Sequence, residues 1–392
     1  MKILVYCQNV WGVGHVFRTL EICRALGDHE VVLIMGGRPL DTLLPPNVRC
    51  LRLPALEMNA DYSAMLTVAP EMDIEEIKAK RAKELMEIYR REAPDVLFIE
   101  LFPFGRNAFR FELEPVLKTV LETKGPKPRV ICSVRDILVE KKDVEHFEAR
   151  VVRTLNRYFD GVLIHGDKSL ISLDETFTRM EDIRIPVVYT GYVTPRPDDG
   201  AGQRIRDRKG LGPGDTWMVA SAGGGRVAAA LMQAVADAFD LLVARNGNIH
   251  LHMFTGPYMP EAEFRLLKRR SGPRLRVARF TDAFPEVLAG ADLSISMGGY
   301  NTCMNVLAVG VRALMVPSGQ DREQGMRLKR LAARGAVHVL TESKLSGEAM
   351  AEAVRRALSG PPPGTDVVDL NGAAASAAWI ERWVQDEPGM RK

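Results

Sequence analysis

Short runs of aliphatic and β-branched residues alternate with longer stretches of helical periodicity along nearly the whole chain. In the first half Lys2–Tyr6, Glu30–Met35, Asp95–Glu100, Arg129–Ser133, Gly161–His165 and Val187–Thr190 read as strands. Helical patterns fill the gaps over Val16–Leu26, Ile74–Arg91, Glu112–Lys124 and Val144–Tyr158. A second series holds strands at Thr216–Ser221, Ile249–Phe254, Leu275–Val277, Leu293–Ser296, Ala313–Val316 and Val337–Leu340, with helices over Val227–Ala244 and Glu323–Arg334. Strands separated by helices pair in parallel, because the helix carries the chain back to where the next strand starts.

At 392 residues the chain exceeds one ordinary core. The two series meet at Gly191–Gly200, where Pro195, Pro197 and the glycines favour an extended linker. The expected architecture is α/β, with two facing Rossmann-like domains and a cleft between them. Residues 1–190 form the first domain, 191–206 the linker and 207–370 the second domain. After Gly360-Pro361-Pro362-Pro363-Gly364, residues 371–392 carry a last helix that packs back on the first domain, with Trp379 and Trp383 as anchors. Ligands of such sheets bind at the carboxyl ends of the strands.

Apolar residues at 46% and charged residues at 26% describe a soluble globular protein, and a net charge of +3 is too small for a nucleic-acid binder. No apolar run reaches the roughly 18 residues of a membrane span, and the N-terminus has no charged-then-apolar leader. The five cysteines are scattered without Cys-x-x-Cys pairs or a His cluster, which points away from disulfides and zinc and toward a reducing cytoplasm. The aromatics Phe102, Phe104, Phe109 and Phe111, with a basic helix carrying Lys78, Lys80, Arg81, Lys83, Arg90 and Arg91, invite a peripheral membrane reading. Core packing and a solvated helix face explain them equally well.

Gly12-Val13-Gly14-His15 follows the first strand and opens a helix. An imidazole at that helix start can take a proton from an attacking hydroxyl, and the positive helix end disfavours its charged form. The plainer alternative is a capping or core histidine. Glu100 and Asp136, each at a strand end, are the carboxylates able to orient His15; Glu100 is favoured because it follows a very apolar strand.

Gly223-Gly224-Gly225 with Arg226, between strand and helix, has the form of a phosphate loop. Phe280-Thr281-Asp282 offers backbone groups to a base edge. Ser296-Met297-Gly298-Gly299-Tyr300-Asn301-Thr302 repeats the strand, glycine, helix order, and Asp321-Arg322-Glu323-Gln324 begins a further helix with groups suited to sugar hydroxyls, Asp321 doubling as its cap.

At these residues the chain resembles a GT-B glycosyltransferase of the MurG type, in family 28, and within it a predicted bacterial group with the Met-Gly-Gly-Tyr-Asn-Thr signature. Gly12–Phe17 is similar to the first glycine loop of that type, and Phe280–Gly335 to its donor region. The resemblance implies that Gly223, Gly224, Gly225 and Arg226 hold a diphosphate and that Phe280 and Thr281 read the base. It places Gly298, Gly299, Asn301 and Thr302 at phosphate and ribose, and Asp321, Glu323 and Gln324 at the sugar. Gly14 and Arg196 complete the donor set. Asn305 stands where the family usually has Glu, so it has no paired charged oxygens to offer the ribose. The Leu101–Arg106 loop is aromatic where MurG-type enzymes have a second glycine-rich loop.

The expected function is a cytoplasmic, metal-independent, inverting hexosyltransferase with no cofactor. It moves a sugar from a nucleotide diphosphate donor, UDP-linked by default, to a hydroxyl acceptor, either a small molecule or lipid-linked. A hydrolase or epimerase on the same scaffold and a non-catalytic sugar-nucleotide binder are the alternatives.

Overall fold

The computed structural model describes residues 1–10, 14–39, 42–58, 64–68, 73–225, 228–318, 321–364 and 366–385. The chain divides into two compact units. The first comprises Met1–Val193 with the described part of Asp369–Lys392, the second Thr194–Val368.

The first unit holds β1 (Lys2–Tyr6), β2 (Glu30–Met35), β3 (Val48–Arg52), a small hairpin of β4 (Leu56–Met58) and β5 (Met65–Thr67), then β6 (Val96–Glu100), β7 (Arg129–Arg135), β8 (Gly161–His165) and β9 (Val187–Tyr189). Its main sheet is seven-stranded, parallel, and ordered β3-β2-β1-β6-β7-β8-β9. Side chains alternate between two cores. Ile3, Val5, Val31, Leu33, Val96 and Phe98 pack on one face with Val16, Leu20 and Ile380. Leu4, Val32, Ile34, Leu97, Ile99 and Val130 fill the other with Leu85, Leu113 and Val151. Each side chain so buried contributes about 1.5–3 kcal/mol, which is why continuous apolar strands demand helices on both sides.

Those helices are α1 (Gly14–Ala25), α2 (Ile74–Glu92), α3 (Arg110–Glu122), α4 (Val144–Tyr158) and, from the far end of the chain, α12 (Gly372–Gln385). The Trp379 and Trp383 rings lie tilted against each other, 4.3 Å between centroids. They lie over Gly161, where an added Cβ would meet Trp379 at 2.7 Å. The final helix is thus fastened to the first unit.

The second unit contains β10 (Thr216–Ser221), β11 (Ile249–Phe254), β12 (Leu275–Ala278), β13 (Leu293–Met297), β14 (Arg312–Val316) and β15 (His338–Val339), in the parallel order β12-β11-β10-β13-β14-β15. Interleaved are α5 (Ala201–Lys209), α6 (Ala229–Val243), α7 (Glu261–Lys268), α8 (Phe284–Gly290), α9 (Tyr300–Val309), α10 (Arg322–Ala333) and α11 (Gly347–Ser359). In each sheet the order reverses beside the first strand of the unit, between β1 and β6 and between β10 and β13. Such a switch point leaves a crevice at the strands' carboxyl ends.

The aromatic run settles into the core: Phe102, Phe104 and Phe109 are buried, and Phe111 packs against them. On α2 the basic residues find partners, Lys78 with Glu75 at 2.6 Å and buried Arg81 with Glu112 at 2.7 Å. Among the described residues no helix is long and apolar enough to cross a membrane.

Candidate functional site

His15 is the second residue of α1, and Glu100 closes β6 on the other side of the switch point. His15 Nδ1 lies 2.6 Å from Glu100 Oε1. Two acceptors cannot approach so closely, so Nδ1 carries the proton and donates it, leaving the Nε2 lone pair available. Arg18, one turn along α1, donates to the same oxygen at 2.7 Å, and Arg106 Nε stands 3.6 Å from Glu100 Oε2.

Burial alone would raise the Glu100 pKa. The His15 bond and the charges of Arg106 and Arg18 overturn that and hold the carboxyl well below the usual carboxylate range. Burial lowers the His15 imidazole from 6.5 to about 4; the pull of Glu100 opposes this, while Arg106 and Arg18 add to it. At neutral pH His15 is therefore an uncharged imidazole beside a fixed carboxylate. The sequence anticipated a neutral base but attributed it to the helix end, whereas desolvation dominates.

The loop after Glu100 is under backbone strain. Leu101 (φ 67°) and Arg106 (φ 57°) both occupy the left-handed region without being glycine. That conformation turns Arg106 back toward Glu100. His15 keeps 15% of its side-chain surface and lines a cavity of about 690 Å³ within this unit.

Asp136 requires a correction. It is fully buried, accepts a hydrogen bond from the Tyr192 hydroxyl at 3.1 Å, and is not the carboxylate on His15. Strand-end position alone could not separate it from Glu100. Sequence reasoning also missed Arg18, although its i+3 spacing from His15 on one helix face was the available signal. Gly14 opens α1; Gly12 and Val13 lie outside the described residues.

In the second unit Gly299 precedes α9 with no side-chain cap, and nothing lies within 4 Å of where its Cβ would be. Asn301 and Thr302, in the first turn, are half-buried. Their backbone N–H groups lie in the first turn of a helix that starts at the carboxyl end of β13, the end whose dipole favours an anion. Gly298 differs: it is buried, its N–H pairs with Val316 O at 3.1 Å, and a Cβ there would meet Leu328 at 2.6 Å. Packing explains Gly298; openness explains Gly299.

The Gly223–Gly225 loop follows β10 on the other side of the second switch point. Gly223 N–H bonds Ser221 Oγ at 3.3 Å and Gly225 N–H bonds Ala222 O at 3.1 Å, so two of these amides are already engaged within the loop. Gly225 (φ 89°) also admits the Thr255 carbonyl, 2.2 Å from where a Cβ would stand. Gly224 is exposed, and Arg226 lies outside the described residues. Phe280 is 48% exposed after β12, and Thr281 Oγ1 accepts from Ala283 N–H. Arg196 is exposed on the segment leading into α5.

At α10, Asp321 caps the helix by accepting from Glu323 N–H and Gln324 N–H, and it holds Gln324 Nε2 at 2.9 Å. Gln324 Oε1 accepts from Ser318 N–H at 3.2 Å. Glu323 is buried and pairs with Arg327 at 2.9 Å. Asp321 and Gln324 thus engage each other and Ser318 at the start of α10, while Glu323 is engaged within the helix. Asn305 Oδ1 accepts from the Thr194 hydroxyl at 2.9 Å.

Residues 218–364 match the model of the glycosyltransferase family 28 C-terminal domain. The match lies within the second unit, and over part of its length the chain is similar to MurG-type enzymes. It is 31% identical over 137 residues to the UDP-N-acetylglucosamine–N-acetylmuramyl-(pentapeptide) pyrophosphoryl-undecaprenol N-acetylglucosamine transferase of Bacillus subtilis, covering 34% of this chain and 37% of that protein. To the enzyme of the same name from Acidothermus cellulolyticus it is 30% identical over 192 residues, 48% of this chain and 50% of the relative. The matched stretch thus spans a half or less of these two curated relatives.

Similar solved structures span nearly the whole chain. The calicheamicin glycosyltransferase CalG4 aligns with a TM-score of 0.57 at 14% identity, covering 99% of this chain and 95% of that one. Acinetobacter baumannii MurG aligns with a TM-score of 0.53 at 16% identity, covering 98% of both. At these identities the likeness establishes the α/β GT-B fold.

Proposed function

We propose that this chain is a glycosyltransferase that moves a sugar from a nucleotide diphosphate donor to a hydroxyl acceptor with inversion at the anomeric carbon. His15 is the base. Its Nε2 takes the proton of the attacking hydroxyl, the hydroxyl oxygen bonds to the anomeric carbon, and the bond to the nucleotide diphosphate breaks. Glu100 steadies the imidazolium that forms. The observation carrying this reading is the 2.6 Å contact between His15 Nδ1 and ionised Glu100, which sets the tautomer a base needs.

The second unit supplies the donor cradle in this proposal. Amides at the start of α9, beside Gly299, Asn301 and Thr302, stabilise charge on the leaving diphosphate. Asp321, Glu323 and Gln324 at the start of α10 take the sugar, while Phe280 and Thr281 take the base. The family 28 match over residues 218–364 supports this assignment. All five cysteines are free thiols, which supports a reducing, cytoplasmic setting. The buried aromatic run gives no support to a membrane station.

The test is a thermal-shift panel of UDP, dTDP, GDP and their common sugars, followed by turnover with candidate acceptors. A nucleotide at about 100 times its Kd adds roughly 2.7 kcal/mol to the folded state, a clear shift. Silence across the panel rejects the donor assignment. An anomeric configuration retained in the product, read by NMR, rejects inversion.

A further inference from the structure

The cavity that His15 lines has a second chemical character. Its wall along the loop from β7 into α4 carries Arg135, Lys141, Lys142 and Arg150, with Asp143 as the one carboxylate in the lining. Lys141 Nζ and the Arg150 guanidinium carbon lie 5.7 and 5.6 Å from the ring centroid of the same residue, Phe147. Among the described residues no carboxylate comes within 4.0 Å of Lys141, Lys142 or Arg150, and Arg150 Nε is buried without a hydrogen-bond partner. Asp143 does not answer them, because its side chain caps α4 by accepting from His146 N–H at 3.0 Å.

Gathering like charges costs free energy unless something neutralises them. Burial and the neighbouring charges of Arg150 and Arg135 lower the Lys141 pKa; burial and Arg110 lower that of Arg150, against a weaker pull from Glu114. Beside these cations Leu138, Val139 and Phe104 line the same cavity with apolar surface.

We propose that this cavity binds the acceptor through an anionic group, phosphate or carboxylate, held between Lys141 and Arg150 with an apolar portion against Leu138 and Val139. Lys141 and Arg150 then act as specificity residues that set the acceptor's hydroxyl toward His15. The inference rests on the glycosyltransferase reading for the word acceptor, but not for the binding itself.

Direct binding separates the two. Phenyl phosphate and benzoate are titrated into the full chain by calorimetry, with benzyl alcohol as the neutral control. The wild type binds at least one of the anions and not the alcohol, and affinity falls as salt rises. Which anion binds more tightly distinguishes phosphate from carboxylate. Lys141→Met with Arg150→Met weakens that binding by at least about tenfold. Lys329→Met, which removes an exposed charge on α10 of the second unit, leaves it within about twofold, so the loss is specific to the cavity. Unchanged thermal unfolding of the double variant establishes that it folds; if it does not, Lys141→Gln alone carries the same comparison. Equal affinity in wild type and variant, or no binding of either anion, overturns the proposal whatever the outcome for sugar transfer.

Discussion

The two sheets share a strand order, yet the crevices at their switch points are built from opposite materials. In the first unit the point between β1 and β6 is filled by charge: a buried carboxylate, two guanidiniums and an imidazole within 3.6 Å of it. In the second, the point between β10 and β13 is lined by glycines and the uncapped start of α9. A proton-transfer site needs groups whose ionisation is fixed by their neighbours, and that takes burial and countercharge. A site for a charged ligand needs donors left open, and that takes backbone without side chains. One topology serves both because the strand order fixes only where the crevice falls.

The contrast predicts that turnover breaks in one unit and ligand binding in the other. His15→Ala removes the base and lowers kcat by about 10²–10⁴-fold with nucleotide affinity unchanged, measured by steady-state assay and titration. Equal losses in kcat and nucleotide affinity would falsify the division of labour. The pH profile sharpens it. Because folding lowers His15 to about 4, the acid limb of kcat/KM falls well below the 6.5 of free imidazole. The unfolded chain binds the extra proton first, so this residue's contribution to stability is intact above 6.5 and lost as pH drops toward 4. In His15→Ala that pH-dependent loss shrinks.

Glu100→Gln keeps the shape of the side chain but withdraws the charge that Arg18 and Arg106 face. With all these groups buried, removing one partner costs about 3–5 kcal/mol. Chemical denaturation reads it. A cost below 1 kcal/mol would mean that water reaches the cluster and that His15 is not held as described.

Much of this arrangement was legible in the sequence, and the reasons for the gaps are physical. Buried parallel strands such as Val96–Glu100 announce themselves because both faces must be apolar. β3, an edge strand with Arg49 and Arg52, has no such pattern, and α5 is a very polar helix bounded by Gly200 and Gly210 in left-handed conformations. His15 was readable from its place between strand and helix. Its partner was not: Glu100 and Asp136 both end strands, and only the fold directs one to His15 and the other to Tyr192. The glycines divided likewise, since a sequence cannot tell a glycine that admits a neighbouring side chain from one that stays open.

Gly298 and Gly299 turn that last point into an experiment. Gly298→Ala must displace Leu328, whose Cδ1 would lie 2.6 Å from the new methyl, and costs about 1–3 kcal/mol of stability. Gly299→Ala meets nothing within 4 Å and stays within about 0.5 kcal/mol of the parent, yet weakens nucleotide binding by crowding the α9 amides. If both variants lose stability and neither loses affinity, the diphosphate is not held there.

The smallest effect tests how cheaply the second unit is wired. The Thr194 hydroxyl donates to Asn305 Oδ1 at 2.9 Å, a bond between neutral groups. Thr194→Val removes the donor at nearly constant volume and costs about 0.5–1.5 kcal/mol, the ordinary net worth of such a bond. The amide oxygen it releases sits on α9, the helix assigned to the donor, so nucleotide affinity is measured alongside. A change in affinity larger than the change in stability makes Asn305 a ligand contact whose orientation Thr194 sets. A change in stability alone makes the pair structural, and the donor must then be gripped by the backbone of α9 without it.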